Sequence, residues 1–221
     1  SEISLHLKAM GLGLGGLDWL DRPPEAAVTA AEQLLRDLGA AGRAGRLTET
    51  GRRMIPYALH PRLARLVLES AARGVAAEGC ALAAILSSGR RRAGPSELLH
   101  LLDRELDPVE RKVYRQILRD GQLRLSRRER GPSAATDDAL RISALAAFPD
   151  RVAKRRHGGE LLLAAGGSAV LAQGGAPEGE WFIAVDIEER RERGLPLVRL
   201  ASAIRPEWLL DLFPERVTTR S

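Results

Sequence analysis

The stretch Leu17–Ser70, LDWLDRPPEAAVTAAEQLLRDLGAAGRAGRLTETGRRMIPYALHPRLARLVLES, decides the fold of the N-terminal part of the chain. Pro23 and Pro24 preset φ and lack a donor that a first helical turn leaves unpaired anyway, so a helix starts there. Ala27, Ala31, Leu34 and Leu38 recur at helical spacing with Val28 and Leu35 beside them, and Gly39 stands where a left-handed C-cap belongs. After the glycine-punctuated turn Ala40–Arg46, which can close as a small hairpin, Thr48 caps a short helix to Met54 or Ile55 that Pro56 stops. His60-Pro61 opens a third helix with Leu63, Leu66 and Val67 facing inward, ending near Gly74. Helix, short helix and helix around a tight glycine wing outline a winged-helix domain, an outline that any small three-helix bundle shares.

Working outward, Ser1–Met10 is helical, with Ile3, Leu7 and Met10 on one face and nothing upstream to bury it. A chain that begins at Ser1 inside a helix reads as a fragment of a longer protein. Gly11, Gly13 and Gly16 formally match the dinucleotide fingerprint, but that motif needs a preceding strand and a following helix, and neither pattern is present. Beyond Gly74, Val75–Leu86 reads as a buried helix containing Cys80, a small buried thiol rather than a nucleophile. Ser87–Gly94 is a basic loop. Pro95 and Ser96 open a further helix with Leu98, Leu99, Leu101, Leu102 and Leu106 on its apolar face. Asp107 caps the next, begun by Pro108, where Val109, Val113 and Ile117 form one ridge and Arg111, Arg115 and Arg119, with Lys112, another. Such a cationic ridge can meet successive phosphates of a single strand, and an ordinary solvated face has the same pattern.

Leu123–Arg130 continues the positive charge, Gly131–Asp138 is a polar boundary segment, and Asp138–Ala147 is a helix ended by Phe148-Pro149. From Asp150 the periodicity changes to that of strands. Arg151–Arg155, Leu161–Ala165, Ala169–Ala172, Trp181–Ile187 and Leu197–Ile204 make five, with a hairpin at Gly166-Gly167, which is the strand number of an OB-type barrel. Lys154, Arg155, Arg156 and His157 are its strongest basic cluster, while Trp181, Phe182, Trp208 and Phe213 sit in apolar contexts and read as core.

Composition bounds the function classes. The formal charge of +5 and pI near 10.1 point to an acidic partner such as nucleic acid, and arginine, the better bidentate phosphate ligand, far outnumbers lysine. Genome composition bias accounts for the same excess. One cysteine rules out an internal disulfide and a cysteine-rich zinc site and fits a reducing cytoplasm; no apolar run approaches membrane-span length. No G-x-x-x-x-G-K-[ST] phosphate loop occurs, His6, His60, His100 and His157 lack metal-ligand spacing, and no catalytic residues are assigned.

The segment LDWLDRPPEAAVTAAEQLLRDLGA followed by GRLTETGRRMIPYALHPRLARLVL resembles the winged-helix segment after the two motor domains of DEAH-box RNA helicases, most of all the HrpB family. The likeness is carried by Asp21–Pro24, Leu38-Gly39-Ala40, Leu47-Thr48 with Gly51-Arg52, and Leu59–Ala64. PDRVAKRRHGGELLLAAGGSAVLA, then EWFIAVDI and AIRPEWLLDLFP, is similar to the OB-like domain of those helicases with its closing helix. The resemblance implies an α+β multidomain chain: a junction over 1–16, a winged helix over 17–74, a ratchet-like helical domain over 75–138 with a helix lining an RNA channel, and an OB-like β-barrel over 139–221. It implies a cytoplasmic ATP-dependent RNA helicase as the full-length protein, with ATP and Mg2+ held upstream, and no cofactor and no activity in this fragment alone. Expected partners are single-stranded RNA, or DNA, and the motor domains of the same chain. The expected phosphate contacts are Arg111, Lys112, Arg115, Lys154, Arg155, Arg156 and His157. Two other classes stay open: a protein-interaction module docking on the motor or a regulator, and a winged-helix regulator reading duplex DNA through Arg52 and Arg53.

Overall fold

The computed structural model describes residues 1–13, 17–89, 96–123, 133–156, 159–172, 177–189 and 194–216. Within them the chain is α+β, with eight α-helices and a closed five-stranded barrel. It divides into two compact units, Ser1–Gly89 with Leu106–Arg128, and Arg90–Glu105 with Glu129–Ser221. The span 75–138 is therefore shared between them.

The first unit holds α1 (Glu2–Ala9), α2 (Glu25–Asp37), α3 (Glu49–Met54), α4 (Pro61–Ala72), α5 (Ala76–Ser87) and α6 (Pro108–Asp120). Pro24 is the N-cap of α2, and at the other end Gly39 (φ +66) takes the left-handed turn that lets the Ala40 N–H reach the Leu35 carbonyl at 2.8 Å. Leu35 and Leu38 are buried, whereas Ala27, expected on the same stripe, is exposed. The hairpin forms, with Ala41 bridged to Leu47 and the Thr48 N–H donating to the Ala40 carbonyl. Thr48 joins two helix ends: its hydroxyl donates to the Gly39 carbonyl at 2.5 Å and accepts from the Gly51 N–H at 3.0 Å, the N-cap bond that starts α3. His60 caps α4, whose Leu63, Leu66 and Val67 are buried as the spacing predicts. On α1 the buried residues are Ser4, Leu5 and Leu7, while Ile3 (60% exposed) and Met10 (64%) face solvent.

The second unit begins with a 3-10 turn (Leu98–Leu102) in place of the α-helix expected after Pro95. Glu97 is held extended by a parallel bridge to Ala201, and only a short turn fits between it and Asp103. Then come α7 (Ala134–Ala147), β1 (Val152–Arg155), β2 (Glu160–Leu163), β3 (Ser168–Leu171), β4 (Trp181–Glu188), β5 (Leu197–Ala203) and α8 (Glu207–Leu212). The helix α7 starts four residues before Asp138, because Ser133 supplies an N-cap to the Thr136 N–H at 3.2 Å. Strand order is β1-β2-β3-β5-β4, closing through the antiparallel β1–β4 pair, with β3 and β5 parallel. Ala153, Leu161, Ala169, Phe182, Ala184, Val198 and Ala201 fill the interior. Small residues on four strands leave room for Phe182, whose full burial contributes about 1.5–3 kcal/mol.

A polar brace fastens α7, β5 and the 96–105 segment. The Ser202 hydroxyl donates to Glu97 Oε1 at 2.6 Å, Arg141 Nε lies 3.9 Å from the same oxygen, and Asp138 takes Arg205 at 3.0 Å. Arg90–Pro95, most of Leu123–Arg130, His157 and Gly16 fall outside the described residues. The helix α1 precedes Gly11, so the strand that a dinucleotide fingerprint requires is absent from its place.

Candidate nucleic-acid interface

Position α6 first. Asp107 accepts from the Val109 and Glu110 N–H groups at 2.9 Å each, and Glu110 Oε2 accepts in return from the Asp107 N–H at 3.0 Å, a complete capping box. That bond explains why Glu110 is fully buried and why Val109, expected on the apolar ridge, is exposed. The buried side of the helix runs through Glu110 and Ile117, with Val113 and Tyr114 half-buried beside them. At its C-terminal end, a Cβ on Gly121 would overlap the Tyr57 hydroxyl, so the absence of a side chain lets the aromatic ring seat against the helix end. Burial raises the pKa of both Tyr57 and Tyr114, with the Cys80 thiol adding to each. Burial also pushes Cys80 itself up to about 12, which removes it from nucleophilic chemistry.

With one side fixed this way, Arg111, Lys112, Arg115 and Arg119 are all exposed. Arg111 donates to the Leu106 carbonyl at 3.0 Å, and Arg119 donates to Gln116 at 2.6 Å. Among the described residues, no ion pair engages Lys112 or Arg115.

The second basic cluster is taken apart by strand alternation. Ala153 points into the barrel, so Lys154 points out, beside its register partners Leu162 on β2 and Trp181 on β4. Lys154 Nζ lies 3.0 Å from Glu180 and 5.1 Å from the Trp181 ring centre. Arg155 turns the other way: its guanidinium sits 4.7 Å from the Phe182 ring centre and donates to the Pro177 carbonyl at 2.8 Å. It is a barrel clamp. Arg156 is again exposed, and its backbone N–H donates to the Glu160 carbonyl at 2.7 Å. Of the four aromatics read as core, Phe182 and Trp208 are buried, Phe213 is half-buried, and Trp181 is half-buried on the outer surface. The alternation in WFIAVDI carries that signal, because Phe182 and Ala184 inward put Trp181 outward.

Among the described residues, no three His, Cys, Asp or Glu side chains converge as metal ligands, and the sequence has no phosphate loop. No helix among the described residues is long and apolar enough to cross a membrane.

No family model matches the chain. The chain is 34% identical over 171 residues to the ATP-dependent RNA helicase HrpB of Escherichia coli K12, a match covering 76% of this chain and 20% of that protein. Two crystal structures of E. coli HrpB superpose on it, with TM-score 0.79 at 27% identity over 97% of this chain, and 0.72 at 28% over 94%. The chain belongs to the HrpB family. It corresponds to the C-terminal region of those helicases, and it spans 26% of each solved HrpB chain. A further match, 34% identical over 106 residues, is the pre-mRNA-splicing factor ATP-dependent RNA helicase prp22 of Schizosaccharomyces pombe, covering 48% of this chain and 9% of that one.

Proposed function

We propose that the chain is the accessory C-terminal part of an ATP-dependent DEAH-box RNA helicase, which binds a single RNA strand for motor domains elsewhere in the full-length protein. In this reading residues 17–74 serve as a winged helix and α6 as part of a ratchet-like element. The barrel serves as an OB-like module, a role that its order β1-β2-β3-β5-β4 supports. Hydrolysis of ATP with Mg2+ is assigned to the motor domains.

The observation that carries the reading is the outer side of α6: Arg111, Lys112 and Arg115 stand in solvent on a helix whose other side is immobilised by a capping box and by burial of Ile117. Cations held on a rigid element meet a polyanion without first being ordered. Binding of a fluorescent oligouridylate by the full chain, measured by anisotropy across a salt series, tests it. Affinity is expected to fall steeply with salt. Lys112→Glu with Arg115→Glu should weaken binding by about tenfold or more and lower the salt slope by about 1.4, since each single-strand phosphate contact contributes about 0.7. Binding that ignores salt, or none at low salt, overturns the reading.

A protein-docking role draws support from α1 and its C-cap, where Ile3 and Met10 are exposed. It predicts a complex with the separately expressed motor domains that survives salt high enough to abolish RNA binding. The duplex-reading alternative rests on Arg52 and Arg53 of the six-residue α3, where Arg52 is paired in solvent with Glu49 at 3.2 Å.

A further inference from the structure

The outer surface of the barrel is not uniform. On the alternation that sends Ala153, Phe182 and Ala184 inward, Val152, Ile183, Val185 and Ser202 point outward, yet all four are buried. That part of the exterior is covered, and Ser202 is tied to Glu97. One row on the same exterior is not covered. Leu162 on β2, Lys154 on β1 and Trp181 on β4 are consecutive cross-strand partners, with Leu162 36% exposed, Lys154 exposed and Trp181 half-buried. Arg156, one residue past the end of β1 and about 6.6 Å from Lys154 for extended backbone, is exposed and makes no ion pair among the described residues.

The chemistry of this row is specific. An indole at a sheet surface, a leucine on the far side of Lys154 and two cations two residues apart combine a stacking plane with phosphate-binding groups. Lys154 presently rests on the indole at 5.1 Å and is paired with Glu180 in solvent, an exposed pair that contributes little and is readily exchanged for a phosphate. The row thus joins an exposed aromatic edge to one cation in an exposed, exchangeable pair and a second, Arg156, with no ion pair among the described residues.

We infer that Trp181 is a base-stacking platform for single-stranded nucleic acid, with Lys154 and Arg156 contacting the phosphates on either side of the stacked base. This rests on the nucleic-acid reading above and adds to it a contact with bases as well as with the backbone, on the barrel unit.

The test uses the full chain and two probes of equal length and charge, an oligouridylate and its abasic counterpart. Stacking on one aromatic residue corresponds to about a 5- to 150-fold preference for the strand that carries bases. Trp181→Leu keeps apolar bulk beside Lys154 and removes the aromatic plane; it should lose that preference while leaving abasic binding unchanged, with the thermal unfolding transition verifying the barrel. Lys154→Ala with Arg156→Ala should weaken both probes alike. If the wild-type chain binds both probes equally, or if Trp181→Leu retains the preference, stacking on Trp181 is overturned while backbone binding stands. If the wild-type chain binds neither probe, both the stacking inference and the reading on which it rests fall.

Discussion

The two basic clusters, one on α6 and one on β1, contain nearly the same residues and are used differently. On a helix, residues four apart share a face, so Arg111 and Arg115 stay together in solvent with Lys112 beside them. On a strand, adjacent residues point to opposite faces, so Lys154, Arg155 and Arg156 are separated, two outward and one folded over the barrel end. A run of three cations in sequence is therefore a weaker statement about a binding surface than three cations spread over a helical turn. The same alternation that removes Arg155 from the surface brings Trp181 onto it.

The contrast is sharpest at Arg155. Arg155→Ala removes a guanidinium hydrogen bond to the carbonyl of the buried Pro177 and a contact on Phe182, and should lower the stability of the barrel unit by about 1.5–3 kcal/mol. Lys154→Ala and Arg156→Ala, two neighbours of the same sequence run, should each stay within about 0.5 kcal/mol of the parent. Denaturant unfolding of the three variants measures the difference. Equal effects at the three positions would erase the distinction between clamp and surface.

On the helical side, Gly121→Ala should destabilise the first unit by about 1–3 kcal/mol, because the added methyl group must displace Tyr57 from the end of α6. Its nucleic-acid affinity should fall in step, since the cations lose their fixed support. Loss of stability with unchanged affinity would show that α6 does not need its seat to present charge.

The smallest effect concerns pH. Cys80 has a folded pKa of about 12 against an ordinary value of 9.0, so the folded state keeps the proton longer than the unfolded chain does. The contribution is fully present below pH 9.0 and is lost as pH rises towards about 12; Tyr57 and Tyr114, both raised by burial, act in the same direction. Thermal unfolding followed from neutral to alkaline pH should show the first unit weakening in that window, less so in Cys80→Ala once its own baseline is subtracted. Cys80 should also resist thiol reagents in the native chain. A reactive thiol at neutral pH would show that α5 and α6 do not close over it.

How much could be read from the sequence depended on how local the cause was. The ends of α2, α3, α4 and α6 were legible because Pro24, Thr48, Pro61 and Asp107 act within one turn of themselves, through φ or through a side-chain oxygen. The five strands and the Gly166-Gly167 hairpin were legible from period and punctuation. The cationic residues of α6 were legible as a face and Ile117 as part of its buried side, but Val109 was not placed correctly, because the reciprocal bond from Glu110 to its cap buries a charged residue where periodicity favours Val109. The expected helix after Pro95 failed for another reason. Glu97 meets Ser202, 105 residues away, and that pairing overrides a leucine-rich local pattern.

By itself the sequence determined where helices and strands begin, the excess of arginine, and a likeness to HrpB-family helicases that the comparisons uphold. Only the tertiary structure decided which cations stay at the surface, that Arg155 is part of the barrel, and that Trp181 is outside it. Caps and periods are set by neighbours a few residues apart, whereas the face that a strand residue takes is fixed by the register of a closed sheet, and register is a property of pairs of strands.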